Sequence, residues 1–420
     1  MRPKKSPIST PKPKLKTTHG VIPFPPAWLW WVDELIPTWV KKNYSPRDSW
    51  KDKPFTKDDS FFFFRGVEEL SELFTDERPA HLPAYFAHPK FRSSYLLYFL
   101  PLQAAKFLSV FQLHSKAYEA ALETGKKTGV IRIGDLGAGP GTASLAFLLR
   151  LLQEKEIPNV ELYWVDTNKS ILEDGRALVE QLANQFPRLR GKVKVSLHVG
   201  PWWEAARFLP EKMSLILMGN VLNESQIPRA LSQAVSNDFS EEDLDDESPK
   251  KRAKPLRLWA ELMSRVDGGG ILFLEPAIRR SSQLLSNLRD ELIDSGLLEN
   301  SPTSIWGPCL HAGACPLSQG RDWCHFSVPV DIPGKWFAQF SKGLGSERQW
   351  VKFSYLWLAS KSAPSTRPAA NLRRVISDPL QAPSGGPRST DTVLICEPER
   401  TEKLRLPSAQ RTRRGDLIKI

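Results

Sequence analysis

The sequence predicts an α/β fold: a parallel, seven-stranded sheet with helices on both faces, preceded by a helical domain and followed by a small basic extension. Three observations carry that expectation. Between residues 129 and 360, short apolar runs alternate with helical segments, the pattern of a sheet buried on both faces. A glycine-rich turn, DLGAGPGT, joins the first of those runs to a helix. A chain of 420 residues is also too long for one hydrophobic core, so more than one domain is expected.

Residues 1–20 carry Arg2, Lys4, Lys5, Lys12, Lys14 and Lys16 and no acid, while Pro3, Pro7, Pro11 and Pro13 oppose the amphipathic helix of a transit peptide. The expectation is a disordered basic arm that touches nucleic acid. Residues 21–128 read as a helical N-terminal domain, with PFPPAWLWWVDEL at its start and one helix through QAAKFLSVFQLHSKAYEAALETG. The best membrane-span candidate, 93–111, is interrupted by Pro101 and Lys106 and reads as a buried helix; no membrane partner is expected.

In 129–360 the predicted strands are VIRIGDLG, VELYWVD, VKVSLHVG, MSLILMGN and GGILFLEP, then HFSVPV at 325–330 and VKFSYLWLAS at 351–360. An acidic block followed by a basic one, 237–255, reads as a disordered insertion, and 305–326 as a cysteine-bearing metal-binding loop. Residues 361–420 form a basic C-terminal extension with one clear strand, DTVLICEP.

Fifty-eight Lys and Arg against 47 Asp and Glu give a net charge of +11, which suits a polyanionic partner as well as a merely soluble basic surface. Four cysteines do not make a disulfide scaffold, and the N-terminus has no apolar signal core, so a reducing compartment is expected.

In IGDLGAGPGTASLAFLL, Gly137, Gly139 and Gly141 allow a tight turn and close approach of a ligand to a helix N-terminus. The spacing is GxGxG after an acid, not GxGxxG, and resembles the first motif of class I S-adenosylmethionine-dependent methyltransferases. That resemblance implies a cofactor loop from Asp135 through Thr142, including Gly137, Ala138, Gly139 and Gly141. Asp166 closes the second strand, 27 residues beyond Gly139, where a carboxylate can accept both ribose hydroxyls. By the geometry of open sheets, His198 and Gly200 after the third strand and Asn220 after the fourth are expected near the adenine and the methyl group. A surface-loop histidine is the competing reading of His198.

No loud catalytic acid or base accompanies this turn. LMGNVLNES is not the Asn-Pro-Pro-Tyr type of sequence that positions an exocyclic amino group, and Pro308-Cys309, superficially suited to cytosine C5 chemistry, falls after the fifth strand and its helix. Asn220, Asn223, Glu224 and Glu275 remain candidates for orienting a substrate, of which Asn220 and Glu275 are the catalytic candidates. Methyl transfer needs mainly in-line approach to the sulfonium, so the silence does not exclude catalysis.

Cys309, Cys315 and Cys324 crowd one loop, and Cys396 follows in LICEP. Structural zinc favours CxxC knuckles, which are lacking here, although three cysteines with His311 or His325 would serve; four thiolates on a long loop suit an iron-sulfur cluster at least as well. Four unrelated buried thiols would be the plain alternative, but Gly307, Gly313 and Gly320 make this loop polar and open.

Taken together, DLGAGPGT, VLNES, LFLEPA, C-x5-C-x8-CHF, FSYLWLA and the late cysteine resemble a family of methyltransferase-like small ribosomal subunit proteins of bacteria and mitochondria, over roughly residues 90–420. The resemblance implies a class I methyltransferase fold, S-adenosyl-L-methionine, a 4Fe-4S cluster on Cys309, Cys315, Cys324 and Cys396, and action on small-subunit rRNA or its assembly. It also implies a bacterial cytoplasmic or mitochondrial matrix location and a monomer apart from the ribosome. The acidic insertion and Leu310 depart from the family pattern without removing a ligand. Arg279, Arg280, Arg373, Arg374, Arg411, Arg413 and Arg414 are the expected phosphate contacts. A non-catalytic assembly factor and a small-molecule or protein methyltransferase with structural zinc are the competing readings.

Overall fold

The computed structural model describes residues 14–16, 23–75, 84–222, 249–318, 322–345, 350–361, 371–380, 390–407 and 412–420. In chain order its strands are β1 (Lys14–Lys16), β2 (Val130–Leu136), β3 (Asn159–Asp166), β4 (Val193–Val199), β5 (Met213–Gly219), β6 (Val266–Pro276), β7 (Thr303–Gly307), β8 (Phe326–Pro329), β9 (Trp350–Ser360), β10 (Leu372–Val375), β11 (Thr390–Glu397), β12 (Arg400–Pro407) and β13 (Leu417–Lys419). The main sheet has the order β4-β3-β2-β5-β6-β9-β7, with β8 also on β9; β2 to β6 are parallel and β9 is antiparallel to its neighbours. This is the strand order of a class I methyltransferase fold. It reverses direction between β2 and β5, the switch point where open α/β sheets hold ligands at the carboxyl ends of their strands.

The apolar runs are continuous because both faces are covered. Along β5, Leu215 and Leu217 enter the core on one face, while Ile216 and Met218 enter the core on the other. The N-terminal helices cover the first face, with Leu100–Leu113 packed on Thr142–Leu151 and Ser115–Thr128 packed on β2 and β6. The second face is closed by Trp202, Trp259, Leu285 and Leu288.

Pro89–Leu113 is one continuous helical stretch in three parts: an α-helix Pro89–Ser94, a π-helical turn Tyr95–Phe99 and an α-helix Leu100–Leu113. Pro101 sits just after the π turn, where a widened ladder accommodates its ring and its missing N–H. Among the described residues this is the one helix long and apolar enough to cross a membrane, and most of it is buried inside the protein.

The single helix expected through 103–125 is instead two, Leu100–Leu113 and Ser115–Thr128, broken at His114. That residue leaves helical dihedrals (φ −120°, ψ 49°) to bring its Nε2 within 2.9 Å of the Tyr355 hydroxyl and its ring against Trp357. Burial, and then the Arg374 cation, hold the His114 imidazole down to about 3.

The sixth strand also differs from expectation. HFSVPV does not fill that position alone: β7 pairs with the C-terminal half of β9 and β8 with its N-terminal half, on the same edge. The cysteine loop therefore leaves and re-enters one strand track, and does not precede it. Of the expected disordered insertion 237–255, residues 237–248 lie outside the described residues, whereas 249–255 begin the helix Pro249–Ser264. Of the basic arm, Lys14–Lys16 pair with β13. The C-terminal extension has more than its one expected strand: β1, β13, β10, β11 and β12 make a five-stranded sheet over a small core of Val375, Val393, Ile395, Leu406 and Ile418.

Candidate cofactor cavity and cysteine centre

A cavity of about 820 Å³ opens at the switch point. The glycine turn after β2 forms its floor. Gly139 has φ +53°, and a Cβ there would meet nothing nearer than the Phe86 ring at 3.6 Å, so a bare, left-handed residue keeps the floor open. At Gly141, φ +71°, a Cβ would lie 2.1 Å from the Trp164 ring, so glycine lets the helix Thr142–Leu151 start against β3.

Asp166, at the end of β3, braces this turn. Its Oδ2 accepts the Gly139 N–H at 2.9 Å and its Oδ1 accepts the Asn168 N–H at 2.9 Å. Burial pushes its carboxyl up, while the backbone N–H groups of Asn168, Gly139 and Thr167 oppose the rise. Asp135 is 2% exposed, and its Oδ2 accepts both the N–H (3.0 Å) and the hydroxyl (2.7 Å) of Ser144. Burial raises the Asp135 carboxyl to about 7 against those bonds.

Four residues that line the cavity each carry a buried polar atom with no hydrogen bond among the described residues: Gln103 Oε1, Thr142 Oγ1, Trp202 Nε1 and Asn220 Oδ1. Thr142 and Trp202 are 6% and 4% exposed. Buried polar groups are ordinarily paired, so four orphaned atoms on residues that also line one void are an unusual concentration of unsatisfied polarity beside it. Asn220 adds strain of the kind that gathers at functional sites: it is a non-glycine residue at φ +59°, held by its N–H donating to the Leu274 carbonyl at 2.8 Å.

Asp135, Gly137, Ala138, Gly139, Thr142, Asp166 and Asn220 all line the cavity, and Gly141 caps the helix behind it. His198 does not line it. On β4 its ring stacks on Phe208 (centroids 4.8 Å apart), and the cavity is met three to five residues later by Pro201, Trp202 and Trp203. Glu275 is likewise not on the wall: fully buried, it accepts the Leu222 N–H at 2.9 Å and so holds the turn that carries Asn220. Asn223 and Glu224 lie outside the described residues. Reading along the chain missed the roof, because Phe86, Tyr95, Phe99 and Gln103 come from a distant helical region.

The four cysteines are all half-buried and away from this cavity. Burial pushes every thiol up, Cys324 well up and Cys396 to about 12, and for Cys324 the neighbouring Cys309, Cys315 and Cys396 push further. The four thus share one electrostatic neighbourhood that resists ionisation until a cation compensates it. Two arginines press in: Arg289, 1% exposed, donates to the His311 and Gly313 carbonyls at 2.8 Å, and Arg374 Nε donates to the Pro308 carbonyl at 2.7 Å. His311 Nε2 lies 3.3 Å from Cys396 Sγ, and the Cys315 N–H donates to Asp290. Among the described residues no three His, Cys, Asp or Glu side chains are gathered tightly enough to hold a single metal ion.

Several expected phosphate contacts are structural instead. Arg373 pairs with Glu397, Arg374 braces the cysteine loop, and Arg414, 8% exposed, donates to the Trp323 carbonyl. Arg279, Arg280 and Arg413 are exposed, and Arg411 lies outside the described residues.

No curated protein matches the chain. Solved structures similar to it include a putative RNA methyltransferase from Pyrococcus horikoshii (14% identity over 58% of this chain and 84% of that one, TM-score 0.26). A Leishmania major SAM-dependent methyltransferase (12%, 66% and 88%, TM-score 0.27) and the plantazolicin methyltransferase BpumL in complex with SAH (9%, 73% and 99%, TM-score 0.23) are also similar. At such scores the fold rests on strand order and register, not on these neighbours. Residues 242–397, under half of the chain but including all four cysteines, match the family model described as mitochondrial small ribosomal subunit Rsm22.

Proposed function

We propose that this chain is an S-adenosylmethionine-binding, methyltransferase-like protein of the small ribosomal subunit, acting on its rRNA or its assembly. The observation that carries the cofactor reading is a cavity at the carboxyl ends of β2, β3 and β5, floored by Gly139 and braced by Asp166. When bound, the cofactor would supply a sulfonium methyl group that an acceptor's lone pair can take, leaving the sulfur as a neutral thioether.

In this reading Gly139 leaves room for the methionine end, free lone pairs on Asp166 take the ribose hydroxyls, and Trp202 and Trp203 flank the adenine. Asn220 faces the transferred methyl, and Glu275 keeps Asn220 in place through Leu222. The match of 242–397 to a mitochondrial ribosomal family supports the ribosomal partner and favours the mitochondrial matrix.

The cysteine centre suits a 4Fe-4S cluster held by Cys309, Cys315, Cys324 and Cys396. A tetrahedral zinc with ~2.3 Å bonds would draw its sulfurs to about 3.8 Å apart. Burial and the other three cysteines push the Cys324 thiol up, and this shared electrostatic neighbourhood supports a common centre for the four. In that role it would clasp the C-terminal sheet to the main domain.

The test is anaerobic purification followed by calorimetric titration with S-adenosylhomocysteine and analysis of iron, sulfide and zinc. One S-adenosylhomocysteine bound per chain and about four irons are expected. A chain that binds no S-adenosylhomocysteine would refute the cofactor reading, and one stoichiometric zinc without iron would refute the cluster.

A further inference from the structure

We propose that the outer half of the cavity, beneath the helical stretch Pro89–Leu113, is a binding chamber for an unpaired RNA nucleobase. This rests on the cofactor reading above and names the class of group presented to the methyl donor.

The cavity is larger than the cofactor requires. A nucleoside–amino acid conjugate packed at protein-interior density fills on the order of 400–500 Å³, and the cavity holds about 820 Å³. The remainder exceeds the volume of one base, and the wall includes a helical stripe, Tyr95, Phe99, Gln103 and Phe107, spaced at four-residue intervals along one face with Leu102 and Lys106 beside it. The π-helical turn Tyr95–Phe99 opens that stripe, and π turns of this kind are frequent at functional sites.

The stripe's walls are aromatic. Tyr85 and Phe86 stand 4.4 Å apart by ring centroid, Phe86 and Tyr95 5.0 Å, and Tyr95 and Phe99 5.9 Å with their planes only 29° apart. Phe99 and Phe107 are buried and belong to the core, but Tyr85, Phe86 and Tyr95 are half-buried and line the void. Rings left in this state offer stacking faces to a planar ligand.

Polar groups at the same wall supply an edge to read. Gln103 and Asn220 line the cavity, and their amides, each with donors and an acceptor, suit the edge of a base once a side-chain turn brings them to it. A base must leave its stack to reach such a pocket, which is how enzymes that modify bases gain access to them. The net charge of +11 and the exposed Arg279 and Arg280, next to the cavity-lining Ile278, complement the phosphates that would accompany the base. An aromatic amino-acid side chain would meet the stacking faces equally but would leave both amides and the basic surface without partners.

The test uses the full-length protein saturated with S-adenosylhomocysteine and single-stranded RNA oligonucleotides carrying one 2-aminopurine. Anisotropy of a terminal dye reports binding, and 2-aminopurine fluorescence reports stacking. Quenching is expected on binding. Tyr95→Leu should weaken the quenched complex roughly 5- to 100-fold, whereas Tyr95→Phe, which keeps the ring, should quench like the wild type. Four results would overturn the chamber: no RNA binding, binding without quenching, equal quenching by the Leu and Phe variants, or stronger competition from a tryptophan-containing peptide than from CMP. S-adenosylhomocysteine binding is measured first and separately. If it is absent the cofactor reading fails and the chamber falls with it; if it is present, the fluorescence decides the chamber alone.

Discussion

Replacing Asp166 by Asn tests the cavity at its brace. The carboxylate accepts two backbone N–H groups, from Gly139 and from Asn168, each at 2.9 Å. An amide of the same shape can accept only one of them and must turn its own NH2 toward the other, donor against donor. One charge-assisted bond lost is about 1.5–3 kcal/mol, and the opposed donor adds a further desolvation cost of about 1–3 kcal/mol to folding. The same carboxylate is assigned to the ribose hydroxyls, so S-adenosylhomocysteine affinity should fall roughly ten- to a hundredfold. Calorimetric titration of Asp166→Asn and Asp166→Ala, with urea unfolding of each, separates binding from stability. Affinity within twofold of wild type for the Asn variant would refute the assignment of Asp166 to the cofactor.

Asp135 should make stability depend on pH. Its folded carboxyl titrates near 7, above the ordinary 3.8, because it is buried. The folded state therefore keeps a proton that the unfolded chain loses. The stability it contributes is fullest below about pH 4 and is lost as pH rises to 7, by on the order of 4 kcal/mol. Wild type should lose stability relative to Asp135→Asn across that window, and a constant difference in urea unfolding between pH 4 and 8 would contradict this. In the helical domain, Lys41 and Asp59 form a buried pair at 2.6 Å, so Lys41→Met should cost about 3–5 kcal/mol, much of it recovered when Asp59 is also made Leu. Cys324→Ser should abolish iron binding and expose the C-terminal sheet to limited proteolysis before the glycine turn, since the core cluster of that sheet among the described residues is small.

What the sequence made legible was local. Gly137, Gly139 and Asp166 could be placed at one cavity, and Gly141 at the helix cap behind it, because the strand-turn-helix pattern and an acid at the next strand's end are readable in sequence. Asn220 followed from strand order. His198 and Glu275 did not go as read, because a residue near a strand end points either to the ligand or into packing, and only the contacts with Phe208 and Leu222 decide which. Strand β7 was hidden because TSIWG is five residues long and merges with the cysteine loop. In β12, RTEKLRLP keeps its apolar residues to Leu404 and Leu406, and its other residues are mostly charged, so it gave little periodicity. The roof residues Tyr95 and Gln103 carried no signal at all, since nothing local ties a helix near residue 100 to a turn near 139.

The central claim is that the void between Gly139, Asp166 and Asn220 holds the methyl donor. A crystal structure of the protein grown with S-adenosylhomocysteine tests it most directly. The account predicts the ribose hydroxyls on Asp166, the adenine beside Trp202 and the sulfur facing Asn220. A cavity that stays empty at saturating ligand, or ligand bound elsewhere on the chain, would contradict it.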